Sequence, residues 1–323
     1  MPVKRVIGKK FAKYPELGAL TAFIVLFIIF SLLTERFASL LNLGGILSLI
    51  SEIGLVVIGV TFLMISGEFD ISVGSNYAVS AVTFGILLNV GVPAALAIFV
   101  SLIIGSFIGF INGIITLKLG IPSFIVTLGA LMFWRGFVLG SSGGGAYVRY
   151  IGPNTPFIIA LNQPFSGQFR TSLFWFFGIL IIFYVILTKT KYGNSVYAVG
   201  GNPDAAKAMG INVYRVKLTN FIITGLLAGF AGCVSFARFK AVDPYMGKGM
   251  ELESIAAAVI GGAALYGGFG SVIGSFIGYS IVAMIGSALV MIGIGAFWFQ
   301  SVIGLILIVA VIINNRMRRL EKL

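Results

Sequence analysis

The sequence contains no histidine, a single cysteine and only ten acidic residues in 323 positions. Without histidine, the Ser–His and Cys–His arrangements that activate a nucleophile are impossible. With Cys233 as the lone thiol, an intramolecular disulfide is excluded, and a structural zinc or a haem lacks its usual ligands. The setting of Cys233, AGFAGCVSFA, is small and apolar and reads as packing. A Walker A pattern is missing as well. The stretch GKGMELES lacks both the glycine spacing and the terminal Lys-Ser/Thr that cradle phosphates, so any ATP-driven step belongs to another polypeptide. No catalytic constellation, resident cofactor or metal site is legible. Charge is scarce too: 10% of residues are charged and 59% hydrophobic, against roughly a quarter and a half in soluble domains. So little polar side chain cannot dress a water-facing surface, which excludes a soluble enzyme.

What the sequence has instead is long apolar runs, such as Leu17–Leu33, Pro93–Leu117 and Phe174–Leu187. About 20 apolar residues cross a bilayer as a helix. Barrel strands would alternate polar and apolar residues in blocks of about ten. These runs are continuous, so the expected fold class is an all-α integral membrane protein, a single domain over 1–323. Leu17–Leu33 is long and has no small-residue cleavage site, so it reads as a span and not as a signal peptide.

The net charge of +12 does not mark a nucleic-acid-binding surface, because 14 of the 22 basic residues gather in three short clusters. They are Lys4, Arg5, Lys9, Lys10 and Lys13; Lys189, Lys191, Lys207, Arg215 and Lys217; and Arg316, Arg318, Arg319 and Lys322. Lys and Arg concentrate in cytoplasmic loops, which puts all three clusters, and both termini, on one side. Spans over about 17–34, 43–65, 75–92, 93–118, 121–140, 171–188 and 216–237 satisfy that parity. Three further crossings from about 253, with breaks near 267–270 and 292–295, bring the bundle to about ten transmembrane helices. The polar stretch 141–170 becomes an external loop with a short helix lying on the bundle. Many of the 43 glycines fall in small-xxx-small spacing, as in Gly105/Gly109/Gly113, Gly225/Gly229 and Gly270/Gly274/Gly278. In lipid this spacing lets helix backbones approach closely.

Polar residues inside apolar runs mark candidate sites, because charge at membrane depth is costly. Glu68 and Asp70 interrupt the chain beside Gly67 and Gly74, as expected of a broken helix that lines a solute path or fixes its bend. Asp70 with Ser72 can cap the third span, and Asn112 is a further polar side chain within a span. Glu52 is a second intramembrane carboxylate; Arg135 and Gln300 are polar side chains near predicted helices. The segment 189–217 is structured: Asn202 caps a short helix, with Pro203 first and Asp204 at its positive end. Ala205, Ala206, Ala208 and Met209 extend it and Gly210 stops it. A short helix of that kind, displayed beyond the membrane, suits a partner's groove.

Four stretches resemble one family in order: GEFDISVGS (67–75), NGIITLKLGIPSFIVTLGALMFWRG (112–136), VGGNPDAAKAMGINV (199–213) and ELESIAAAVIGGAALYGGFGSVIGSFIG (251–278). The chain resembles the permease subunits of bacterial ABC importers for simple sugars, the ribose-type group within a family that includes branched-chain amino-acid permeases. Many relatives have GGIDLSVGS where this chain has the extra carboxylate Glu68. The resemblance implies a pathway built by two permease copies in the bacterial inner (cytoplasmic) membrane, with a homodimer expected. It also implies cytosolic ABC ATPase subunits that bind ATP-Mg and an extracytoplasmic sugar-binding protein. The equivalent of 199–213 couples to the ATPase, through Gly201, Asn202, Asp204, Ala205, Ala206, Ala208, Gly210 and Ile211. Glu68, Asp70, Ser72 and Asn112 are the candidate translocation path. Two alternatives are the same architecture importing branched-chain amino acids or nucleosides, and a stand-alone carrier driven by ions through Glu52, Glu68 and Asp70.

Overall fold

The computed structural model describes residues 15–144 and 148–321. The first basic cluster, Lys4 to Lys13, and Lys322 of the third lie outside the described residues. The chain folds as an all-α bundle. Its first five helices are α1 (Pro15–Leu33), α2 (Leu40–Ile65), α3 (Val73–Asn89), α4 (Ala94–Leu119) and α5 (Ser123–Ser141). Then follow α6 (Pro156–Asn162), α7 (Ser172–Lys189), α8 (Lys191–Gly201), α9 (Pro203–Ala208) and α10 (Val213–Phe239). The last three are α11 (Met250–Ile260), α12 (Val272–Met291) and α13 (Phe299–Glu321).

Among the described residues, seven helices (α1, α2, α4, α5, α7, α10 and α12) are long and apolar enough to cross a membrane. The expected ten spans thus resolve into seven full-length ones and three shorter pieces: α3 with 17 residues, α11 with 11, and the apolar stretch Phe299–Ile312 of α13. The main departure is α11. A crossing of about 20 residues was expected from 253, but the helix ends at Ile260, where Gly262, Gly267 and Gly268 take φ of 94°, 82° and 75°. Those left-handed angles are incompatible with a continuing helix.

Helices α2 and α10 are buried along most of their length and form the core, while α1 and α5 expose broad apolar faces. The glycine stripes meet each other: a methyl on Gly109 would run into the Phe221 carbonyl, and one on Gly225 into the Gly105 carbonyl. This lets α4 and α10 pack backbone against backbone, the arrangement that replaces hydrophobic driving force in lipid. Asn76 of α3 ties the same place, donating from Nδ2 to the Gly105 carbonyl at 3.0 Å and the Gly225 carbonyl at 3.3 Å. Gly278 of α12 packs in the same way on the Ala257 carbonyl of α11.

The stretch 141–170 contains the expected short helix, α6, capped by Thr155 Oγ1, which accepts from the Ile158 amide at 3.3 Å. It also contains strands that the composition did not announce. β1 (Val148–Arg149) pairs antiparallel with β4 (Ala241–Val242), and β2 (Pro164–Ser166) forms a hairpin with β3 (Phe169–Arg170). These lie at one end of the bundle, and α8 and α9 lie at the other.

Candidate functional site

The break between α2 and α3, residues 66–72, is where the sequence placed its acidic path residues. Gly67 turns the chain with φ 86°. Asp70, Ser72 and Asn112 come together and are all but completely buried. Asp70 Oδ1 accepts from the Ser72 amide at 2.8 Å and from Ser72 Oγ at 2.6 Å. Asn112 Nδ2 reaches Asp70 Oδ2 at 3.3 Å and Ser72 Oγ at 2.9 Å. The Ser72 hydroxyl is therefore spent on this cluster and makes no capping bond to α3, and Asp70 accepts from the Ser72 amide just ahead of that helix. Ser123 and Thr127 of α5 hold the same break, accepting from the Phe69 and Ile71 amides at 3.2 Å each. The cluster is a closed knot joining the break to α4 and α5.

Glu68 stands apart from it. Its Oε1 accepts from Lys217 Nζ at 2.6 Å, in a pair whose side chains are 13% and 14% exposed. Glu52 is also paired: Oε1 accepts from Arg238 Nη1 at 3.0 Å and from Asn162 Nδ2 at 2.9 Å. Asn162 Oδ1 in turn accepts from Arg170 Nε at 2.7 Å. Sequence reading flagged Glu52 but not its partners Asn162 and Arg238, which are 110 and 186 positions away. Nothing local signals such pairs.

At the α8 end, the predicted short helix is α9. Asn202 Oδ1 caps it, accepting from the Ala205 amide at 3.0 Å, and Gly210 stops it with φ 83°. Gly201, Asn202, Asp204, Ala205, Ala208 and Gly210 are exposed, as is Met209 at 72%. Ala206 is turned inward and buried, and Ile211 is half-buried. The preceding helix α8 carries glycines at 193, 200 and 201, which hid it from a propensity reading. It is anchored to the core by Tyr192, whose hydroxyl donates to Asn220 Oδ1 at 2.6 Å, while Asn220 Nδ2 donates to the Phe62 carbonyl at 3.3 Å.

A second polar group was missed. Glu251 and Glu253 occupy the first turn of α11, where the positive helix end favours them. Glu251 Oε1 accepts from the Gly249 amide at 3.2 Å, and its buried Oε2 has no hydrogen-bond partner among the described residues. The Gln300 amide approaches Gly249 from α13. Arg135 Nη1 holds the segment before α11, donating to the Pro244 and Met246 carbonyls at 2.6 and 2.9 Å. Arg135 and Gln300 are thus drawn to one place. Charged groups around a half-helix that starts inside a bundle are the signal that could have identified it.

A family model described as "Branched-chain amino acid transport system / permease component" matches residues 42–311. The chain is 33% identical over 305 residues to the autoinducer 2 import system permease protein LsrC of Salmonella typhi, covering 94% of this chain and 86% of that one. It is 32% identical over 304 residues to the protein of the same name from Escherichia coli O9:H4 (strain HS), with 94% and 87% covered. No solved structure matches at a comparable level of significance.

Proposed function

Because the chain belongs to the branched-chain amino acid transport system permease family, we propose that it is the membrane pathway of an ATP-driven importer for a small, neutral, sugar-like solute of the ribose class. It is a transporter subunit and not an enzyme. The ATPase that binds ATP-Mg and the extracytoplasmic protein that delivers the solute are separate polypeptides, and a second copy of this chain completes the pathway. The observation that carries the reading is α9, a capped helix with six of its predicted coupling residues exposed, leading through Ile211 and Asn212 into the core helix α10. Lys118, Lys189, Lys191, Lys207 and Arg215 gather at that end in sequence, which supports placing it in the cytosol of a bacterial inner-membrane protein with both termini inside.

The relatives are permeases of an autoinducer 2 import system, which supports transport directed inward. The Asp70–Ser72–Asn112 knot has no free surface and fits a bend that shapes the path. The groups around Glu251 and Glu253 are better suited to meet a solute: carboxylates accept hydrogen bonds from hydroxyls and repel anions. The ion-driven alternative loses its groups, since Glu52 and Glu68 are ion-paired and both Asp70 oxygens are engaged.

The test is reconstitution with the ATPase and binding protein in liposomes. ATP-dependent uptake of a labelled neutral sugar, not competed by leucine or a nucleoside, is expected. Uphill uptake by this chain alone, with no ATPase present, would overturn the reading.

A further inference from the structure

We infer that the C-terminal end of α8 is a joint that grips both broken regions of the bundle at once, so that one displacement of α9 moves them together. The inference rests on α9 being the element driven by the ATPase. Three stretches more than 65 positions apart meet here through backbone alone: 65–67 after α2, 200–201 at the end of α8, and 267–268 in the loop between α11 and α12. The Gly268 amide donates to the Ile65 carbonyl at 2.7 Å, bonding one break to the other. Gly200 lies against both partners of that bond, and a methyl on it would run into the Ile65 carbonyl oxygen. A methyl on Gly268 would sit 2.7 Å from the Gly201 Cα, and one on Gly267 2.8 Å from the Gly200 carbonyl and from the Gly67 Cα. Tyr197, one turn earlier on α8, donates its hydroxyl to the Gly270 carbonyl at 2.8 Å. Burial pushes that phenol up to about 12, so it remains a donor at any physiological pH.

Contact without intervening side chains has no rotamer to absorb movement, so a shift of α8 is passed on at van der Waals distance. There is also no slack on the driven side. Gly201 is followed directly by Asn202, the cap of α9. On the other side, the break 66–72 opens into α3 and the loop 261–271 lies between α11 and α12. Motion of that loop is carried along α11, a rod of 11 residues, or about 16 Å, to the first turn that holds Glu251 and Glu253. The joint thus links the push on α9 to the polar group inside the bundle.

The experiment compares Gly200→Ala, Gly268→Ala and the milder Tyr197→Phe with the parent chain in the full reconstituted complex of permease, ATPase and binding protein. Complex assembly, ATP hydrolysis and solute uptake are read on the same preparation. The expected result is an assembled complex that still hydrolyses ATP while solute moved per ATP falls, by about 5- to 150-fold for the glycine variants, the span of a typical coupling free energy. For Tyr197→Phe a fall of about 2- to 30-fold is expected, in line with substitutions along a coupling route. Tyr197→Phe removes one oxygen and adds no bulk, so it decides the matter if a glycine variant does not assemble. An unchanged ratio of uptake to hydrolysis in Tyr197→Phe and in any glycine variant that assembles overturns the joint while leaving the importer reading intact. Absence of ATP-driven uptake by the parent complex overturns both.

Discussion

Arg238, near the end of α10, donates to Glu52 of α2 across 3.0 Å, and Asn162 of α6 donates to the same oxygen. The carboxylate that could have served proton transfer is thereby committed to fastening the far end of the bundle. Its side chain is 5% exposed and that of Arg238 20%. Removing the arginine strands a buried charge, which costs about 3–5 kcal/mol in fully buried pairs; the partial exposure here puts the expectation at the lower end. Arg238→Leu is expected to lower the thermal midpoint of the purified protein, with Glu52→Gln milder and the double variant Glu52→Leu/Arg238→Leu closer to the parent. A larger loss in the double variant than in Arg238→Leu would show that the pair is not the source of the stability.

The Glu68–Lys217 pair differs in degree. Lys217 and Glu68 are 13% and 14% exposed, which places the pair between an exposed one, worth about 0–1 kcal/mol, and a buried one, whose breaking costs about 3–5 kcal/mol. Glu68→Gln is expected to lower stability by less than Arg238→Leu does and to leave ATP-driven uptake in place. Loss of uptake restored by the charge-swapped pair Glu68→Lys/Lys217→Glu would instead make the ion pair part of the working cycle.

Asp70 is the more demanding case. It has no free surface, and three donor groups point at it: the Ser72 amide, the Ser72 hydroxyl and the Asn112 amide. Asp70→Ala leaves those donors unmet, at about 1–3 kcal/mol for each buried group. A drop in thermal midpoint together with lost uptake is expected, whereas Asp70→Asn, which keeps an acceptor oxygen, should be intermediate. Full stability with altered solute preference in Asp70→Asn would move Asp70 from the bend into the path.

Much of the bundle was legible because lipid imposes simple demands. A continuous apolar run has one low-cost solution, and α1, α4, α5 and α7 begin and end within a few residues of the expected positions. The stop signal after α9 was equally plain, since Gly210 takes a φ of 83°. The length of α11 was hidden because apolar residues and glycines look alike in a crossing helix and in a half-helix followed by a packed loop. Only the meeting of Gly267 and Gly268 with Gly67 and Gly200 settles which it is. Pairing was the least accessible level. Arg238 with Glu52, and Ser72 with Asn112, depend on helix order in space, and no local spacing encodes them. Asp70 and Ser72 were singled out one by one, and only the folded chain shows that their polar atoms bond to each other.

The carboxylates at the start of α11 bear on cargo. Glu251 and Glu253 lie beside Gln300 and the Arg135-held segment, and one Glu251 oxygen has no hydrogen-bond partner among the described residues. If they meet a neutral polyol, Glu253→Gln keeps shape and acceptor while removing charge. Uptake of the neutral sugar is then expected to fall modestly, and a phosphorylated analogue to compete better than in the parent. Equal exclusion of the anionic analogue by parent and variant would show that these charges do not select cargo.

The coupling reading is tested most directly on α9. Asp204 is exposed in its first turn, and Gly210 closes it with φ 83°. Asp204→Trp adds bulk where a partner groove would close, without touching the core. Gly210→Val forces a β-branched residue into a left-handed backbone, at about 1–3 kcal/mol of strain, and should redirect the chain entering α10. Both variants are expected to insert normally and to lose ATP-driven uptake, with weaker co-purification of the ATPase for Asp204→Trp. A control at Phe165, exposed on the hairpin at the opposite end, should leave both readouts unchanged when replaced by Trp. Uptake at parent level in both α9 variants would mean that this helix does not receive the push. The drive would then have to enter elsewhere on the same end, with exposed Lys118 at the end of α4 as the next position to alter.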